Sequence, residues 1–184
     1  MNRKVVRATP FGPVALMWLE LGGSPKIFRI LLSKPGSPAE AQAAELFPDS
    51  RPSSCAAVDV VAAAVREFLA GADVVFPLDV AAMTTRPPFQ QAVLRAEHAI
   101  PRGSVSTYGL IAAHLGDGKA ARAVGNALAT NPFPLIVPCH RAVRSGGGLG
   151  GFQGGPAMKR ALLEREGIRF DRAGRAVVRR FHYS

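Results

Sequence analysis

The prolines around residue 135 constrain this chain more than any other feature. Asn131-Pro132-Phe133-Pro134 cannot continue a helix, because a residue ahead of proline is pushed out of the α region and proline lacks the N–H a helix needs. The next three residues, Leu135-Ile136-Val137, are a short apolar run that reads as a buried strand or its end. They form a rigid lead-in to Pro138-Cys139-His140-Arg141. A thiol reacts as thiolate, so an imidazole able to take its proton separates a working cysteine from a packed one. Neighbouring side chains of an extended segment point to opposite faces, so Cys139 and His140 do not meet directly unless the backbone turns there, and a bridging water is the expected proton path. The plain alternative, a cysteine acting as a small buried hydrophobe, stays open on these residues alone.

Charge narrows the partners. Of the 184 residues, positions 1 to 85 hold eight Lys or Arg against eight Asp or Glu, and positions 86 to 184 hold fifteen against five. The whole net charge of +10 therefore lies in the half that contains Cys139. An arginine-rich excess confined to one half suggests a polyanion such as nucleic acid. No apolar run reaches membrane-spanning length and no hydrophobic signal region comes after Met1-Asn2-Arg3-Lys4, so the sequence predicts a soluble, cytoplasmic protein. Two cysteines, Cys55 and Cys139, suit a reducing compartment, and the scattered histidines offer no typical zinc site.

Taken in order, residues 5 to 32 alternate apolar runs with breaks at Gly12-Pro13 and Gly22-Gly23, which predicts β-hairpins. A proline-rich loop comes next, with a short Ala/Glu helix near 39 to 46. Val58, Val61, Ala62, Val65, Phe68 and Leu69 recur at helical spacing until Gly71, predicting an amphipathic helix lying on the strands. Thr84-Thr85-Arg86-Pro87-Pro88 marks a boundary, giving an N-terminal α/β domain over 1–85 and a second domain over 86–184. The expected class is α+β, a small strand-and-helix domain followed by a mostly helical one.

Within the second domain, Phe89, Ala92, Val93, Ala96 and Ile100 keep a helical period. Ser106-Thr107 caps a helix over Tyr108 to Leu115, and Gly116-Asp117-Gly118 separates it from an alanine-rich helix over Lys119 to Ala129. This is a helix-turn-helix pattern. Its second helix offers small residues and one long cation, Arg122, too few polar groups to read base edges in a major groove. It suits close approach to a narrow groove; a small-residue helix packed inside the protein is the equal alternative. Glycines 146–148, 150, 151, 154 and 155 form a loop without a phosphate-binding Gly-Lys-Ser/Thr pattern. Pro156 to Glu166 is a further helix ended by Gly167, and the tail to Ser184 reads as a basic hairpin around Arg172-Ala173-Gly174.

Together, Tyr108, Ala121-Arg122-Ala123-Val124-Gly125, Asn131-Pro132, Pro138-Cys139-His140-Arg141, Gly154-Gly155, Lys159 and Glu166-Gly167 resemble the O6-alkylguanine-DNA alkyltransferases in their order along the chain. Before residue 86 the likeness is weak, resting on Thr9-Pro10-Phe11-Gly12-Pro13. The resemblance implies direct transfer of an alkyl group from guanine O6 in double-stranded DNA to Cys139, without a cofactor or metal, in a protein consumed by the reaction. It gives His140 the thiol proton through water, Glu166 the orientation of His140, Tyr108 a donor role toward the departing guanine, and Asn131 the hinge before the active-site segment. Arg122 would fill the stack left by a flipped nucleotide, with Ala121, Ala123, Gly125 and Arg141 as further DNA-binding residues. Tyr108, Phe152, Gln153, Gly154 and Lys159 would line the base pocket. Family members often carry Tyr-Ser where this chain has Phe152-Gln153, so hydroxyl contacts to the base are missing or taken over by the Gln153 amide. Some members hold zinc in the N-terminal domain, for which this chain shows no ligand set. The expected assembly is a monomer, with clustering of copies on DNA left open.

Overall fold

A computed structural model describes all 184 residues, which divide into two compact units: 1–83 with 132–136, and 84–131 with 137–184. The first unit is built on an antiparallel meander of β1 (Asn2–Val6), β2 (Val14–Leu21) and β3 (Ser24–Leu32). A short β4 (Arg51–Pro52) pairs in parallel with β1, giving the order β3-β2-β1-β4. Alternate residues of a strand face opposite sides, yet every residue from Val14 to Trp18 is buried, so both faces of the sheet are covered. Ala15, Met17 and Leu31 pack against Ala39 and Ala43 of α1 (Ala39–Leu46), with Phe47 closing the cluster. The longer α2 (Ala56–Ala70) buries Val58, Val61, Val65, Phe68 and Leu69 and packs against β1 and β3. It ends where expected, at Gly71, whose φ of 109° is open to glycine and costly for other residues.

In the second unit, α3 (Pro88–His98), α4 (Tyr108–His114) and α5 (Ala121–Ala129) pack against one another. Thr107 caps α4 by accepting the Leu110 N–H at 3.2 Å, and Asp117 caps the 3₁₀ turn at Gly118–Ala120 that leads into α5. Two-residue strands β5 (Ser106–Thr107) and β6 (Ala142–Val143) pair in parallel. β5 runs straight into Tyr108 and β6 comes straight after Arg141. The ladder thereby sets the start of α4 beside the segment that carries the cysteine. Next come α6 (Gly155–Arg165) and the tail hairpin of β7 (Arg169–Phe170) and β8 (Ala176–Val177). Leu163, Ile168 and Ala176 form an apolar cluster with Val105 and Val143, joined by Phe170 and Phe181.

Two local expectations are corrected. Leu135, Ile136 and Val137 are buried to 1% exposure or less, but they do not form a strand: Leu135 and Ile136 lie in a turn, with Leu135 at φ 78°. Burial on every side gives a short apolar run the same appearance in a strand as in a packed turn. Nor does the chain run extended through the cysteine, because Cys139–Arg141 is a single 3₁₀ turn.

Candidate active site

That turn is held from its own backbone, Cys139 N–H donating to Val137 O and Arg141 N–H to Pro138 O, each at 2.8 Å. Cys139, His140 and Arg141 are at most 7% exposed. Asn131, two residues past the end of α5, donates through Nδ2 to Val137 O at 3.2 Å and also hydrogen-bonds the Cys139 sulfur. One side chain thus ties the end of the helix to the turn.

Glu166, just past the last residue of α6, gathers the rest. Its Oε1 accepts from His140 Nε2 at 2.9 Å and from Arg141 Nη2 at 2.8 Å, while Oε2 accepts from Arg141 Nε at 2.9 Å. Arg141 Nη1 donates to Ile100 O at 2.7 Å. Burial alone would raise the Glu166 carboxyl, but the hydrogen bonds from His140 and Arg141 hold it at about 2. Burial lowers His140 below its usual value despite that carboxylate, so the imidazole is neutral at pH 7. With the Nε2 proton given to Glu166, the lone pair of the neutral ring sits on Nδ1, the atom able to accept a proton.

Arg141, expected to contact DNA, is instead buried and engages Glu166 and Ile100 with its donors, so its place is in the scaffold behind His140. Lys159, expected in a base pocket, is fully buried and donates to Ala142 O at 2.6 Å and Gly151 O at 3.1 Å. Burial lowers its ammonium to about 8. Burial likewise pushes the Cys139 thiol up to about 11, so the resting sulfur is protonated.

Tyr108 stands against the glycine-rich loop. A Cβ on Gly150, whose φ is +68°, would lie 2.6 Å from the Tyr108 hydroxyl. Burial, with the charges of Glu97 and Cys139, keeps that phenol protonated. Phe152 meets His140 edge to face at 6.1 Å between centroids, Gln153 is half-buried, and a side chain at Gly154 would collide with Met158 and the Phe152 ring. On α5, Arg122, Ala123 and Asn126 line the outer side: Arg122 and Ala123 are exposed, Ala121 and Gly125 half-exposed, and a Cβ on Gly125 would meet open space. The small-residue helix therefore presents an open face rather than packing inside on all sides.

Sequence patterning misses Glu97. It lies on the apolar stripe of α3, one residue after Ala96 and three before Ile100, and is fully buried. The signal was a lone acid on a buried face.

Comparison with known proteins places this geometry. The family model described as the DNA-binding domain of 6-O-methylguanine DNA methyltransferase matches residues 88–168. A solved structure of Mycobacterium tuberculosis O6-methylguanine methyltransferase is similar with a TM-score of 0.68 and 32% identity over 90% of this chain and 92% of that one. This chain belongs to the O6-methylguanine-DNA methyltransferase family. A structure of the M. tuberculosis protein in complex with DNA is similar at 31% identity and TM-score 0.68, covering 91% of this chain and 93% of that one. The methylated-DNA–protein-cysteine methyltransferase of Methanothermobacter thermautotrophicus is 45% identical over 104 residues, 56% of this chain and 58% of the relative. The human protein of that name is 42% identical over 85 residues, 46% of this chain and 41% of the relative. The matched stretches thus span roughly two fifths to three fifths of these curated relatives. In this O6-methylguanine-DNA methyltransferase family member, the buried turn at 139–141 sets a cysteine next in sequence to a neutral histidine that the Glu166 carboxylate holds. No helix of the chain is long and apolar enough to cross a membrane.

Proposed function

We propose that this protein repairs DNA by moving the alkyl group of O6-alkylguanine irreversibly onto Cys139. The observation that carries the reading is the buried turn in which Cys139 is followed by a neutral His140 whose Nε2 is held by Glu166. A sulfur protonated up to about 11 cannot ionise ahead of the reaction at neutral pH, so its proton leaves as the S–C bond forms. The proton passes through a bridging water to His140 Nδ1, and Glu166 stabilises the imidazolium. The carbon–O6 bond breaks, and the departing guanine takes a proton from the Tyr108 hydroxyl. One thioether forms and one chain is spent, since no group in the site can remove the alkyl.

A base stacked in a duplex cannot reach the sulfur of a cysteine that is only 7% exposed, so the nucleotide must swing out, at a cost of a few kcal/mol. The small face of α5 suits a narrow groove, Arg122 fills the gap in the stack, and the excess positive charge of the second half meets phosphates. The similar M. tuberculosis protein solved in complex with DNA supports DNA as the partner. Gly155, where a Cβ would meet open space, gives the base close access to the loop, with Phe152 and Gln153 beside it.

The test is intact-protein mass spectrometry after incubation with duplex DNA carrying O6-methylguanine. The wild-type chain gains one methyl, mapped to Cys139, and never more than one equivalent, whereas Cys139→Ala gains none and still binds DNA. Repeated turnover, or label on the alanine variant, would overturn the reading.

A further inference from the structure

Residues 169–184 lie beyond the stretch that the family model matches, and alkyl transfer as proposed gives them no part. They are nonetheless tied to the chain on both sides of Tyr108. On the side of the glycine-rich loop, the Ala176 N–H donates to Gly147 O at 2.9 Å, and a Cβ on Gly147 would lie 2.9 Å from Ala176 O, so hairpin and loop meet backbone to backbone. Leu149, immediately before Gly150, packs into the apolar cluster that Phe170, Ala176, Val178 and Phe181 of the tail share with Val105 and Val143.

On the other side, His182 brackets β5. Its N–H donates to Val105 O at 2.9 Å, and its carbonyl accepts from the buried Ser106 Oγ at 2.7 Å, two residues ahead of Tyr108. Tyr183 then reaches the neighbouring helices. Its hydroxyl donates to Ala96 O of α3 at 2.8 Å, and its ring stacks on His114, the last residue of α4, with centroids 3.9 Å apart. It does so at φ 68°, a left-handed conformation costly for a residue with a Cβ, so these contacts hold the backbone where it would not otherwise rest. The tail thus grips α4, which begins at Tyr108, at both ends, and grips the loop facing the Tyr108 hydroxyl at Gly147 and Leu149.

We propose that the segment from Ala176 to Tyr183 is a clasp that sets the Tyr108 hydroxyl against Gly150, with Ser106 and Tyr183 as positioning residues. The contact it maintains is tight, since a Cβ on Gly150 would lie 2.6 Å from that hydroxyl. β5 and β6 share only a two-residue ladder, so the tail supplies a second tie between the segment that carries Tyr108 and the loop that carries Gly150. The inference rests on the reading of Tyr108 as the donor to the departing guanine.

The test is a double-mutant cycle. Single-turnover transfer from O6-methylguanine duplex is measured for Ser106→Ala and Tyr183→Ala, each alone and each combined with Tyr108→Phe. Alone, each should slow transfer about tenfold or more, the scale of a misplaced reacting group. Combined with Tyr108→Phe, which has no hydroxyl left to place, each should change the rate by less than about twofold. Equal losses in both backgrounds would mean that the tail serves the fold in general and would overturn the proposal, as would no loss in either. A second arm needs no alkylated DNA: in both variants, hydrogen exchange should quicken together at residues 105–110 and 144–150, with α5 and the first unit unchanged. Unchanged exchange at those two stretches would overturn the clasp even where transfer is normal, whereas quickened exchange in a protein that accepts no methyl would sink the repair reading alone.

Discussion

Glu166 and His140 share a buried hydrogen bond of 2.9 Å, and the oxygen that makes it also accepts from Arg141 at 2.8 Å. One carboxylate thus fixes the tautomer of the base and neutralises the cation beside it. Glu166→Gln leaves Arg141 buried without its counter-charge, a loss on the order of 3–5 kcal/mol. Urea unfolding will show that loss, and single-turnover transfer will slow by about 10²-fold or more as His140 loses its orienting anion. Because Glu166 is held at about 2, below its unfolded value, its stabilisation is present above about pH 4.5 and disappears as pH falls toward 2. The Gln variant should lack this acid limb.

Glu97 gives the opposite slope. Its folded value of about 8 lies above the unfolded one, so it favours the fold fully below about pH 4.5, and that contribution is lost as pH rises to about 8. Replacing it with Gln should therefore stabilise the protein at pH 7 relative to pH 4.5, by an amount on the order of 3 kcal/mol before any cost of burying the amide. The difference between the wild-type and variant unfolding free energies at several pH values measures this, and a flat difference would remove the assigned ionisation.

Gly150→Ala tests the placement of Tyr108. The left-handed φ of +68° costs a residue with a Cβ roughly 1 kcal/mol, and the new carbon would stand 2.6 Å from the phenol oxygen. The ring must yield, since its hydroxyl is the nearest atom. Thermal unfolding should change little while the transfer rate falls roughly ten- to a hundredfold, the scale expected for an ångström of misplacement at a reacting centre.

Arg122 is exposed, so Arg122→Ala should alter stability by no more than about 0.5 kcal/mol. Transfer from duplex DNA should drop about tenfold or more, as the flipped state loses the side chain that fills its gap. Transfer from a free O6-alkylguanine base, which has no stack to leave, should not change. Equal losses on both substrates would remove the proposed role of Arg122 in flipping.

Much of the architecture was legible because glycine and proline punctuate it. Gly71 ends α2 at the residue expected, and Thr107 caps α4 as its side chain predicts. Where the reading failed, the cause was environment. Leu135 to Val137 looked like a strand because three apolar residues buried on all sides carry no period to separate a strand from a turn. Arg141 looked like a DNA contact because an arginine in a basic stretch gives no sign that a carboxylate 25 positions later will claim it. Glu97 lay hidden in a helical stripe that its apolar neighbours were enough to define. The pairing of His140 with Glu166 came from family resemblance, since residues 26 apart leave no local pattern.

The parallel ladder between Ser106-Thr107 and Ala142-Val143 is only two residues long. It alone among the strand pairings joins the two residues preceding Tyr108 to the two following Arg141. Were those few bonds to fray, phenol and sulfur would drift apart while the surrounding helices stayed folded. A molecule in that condition would pass every test of shape and still be chemically mute.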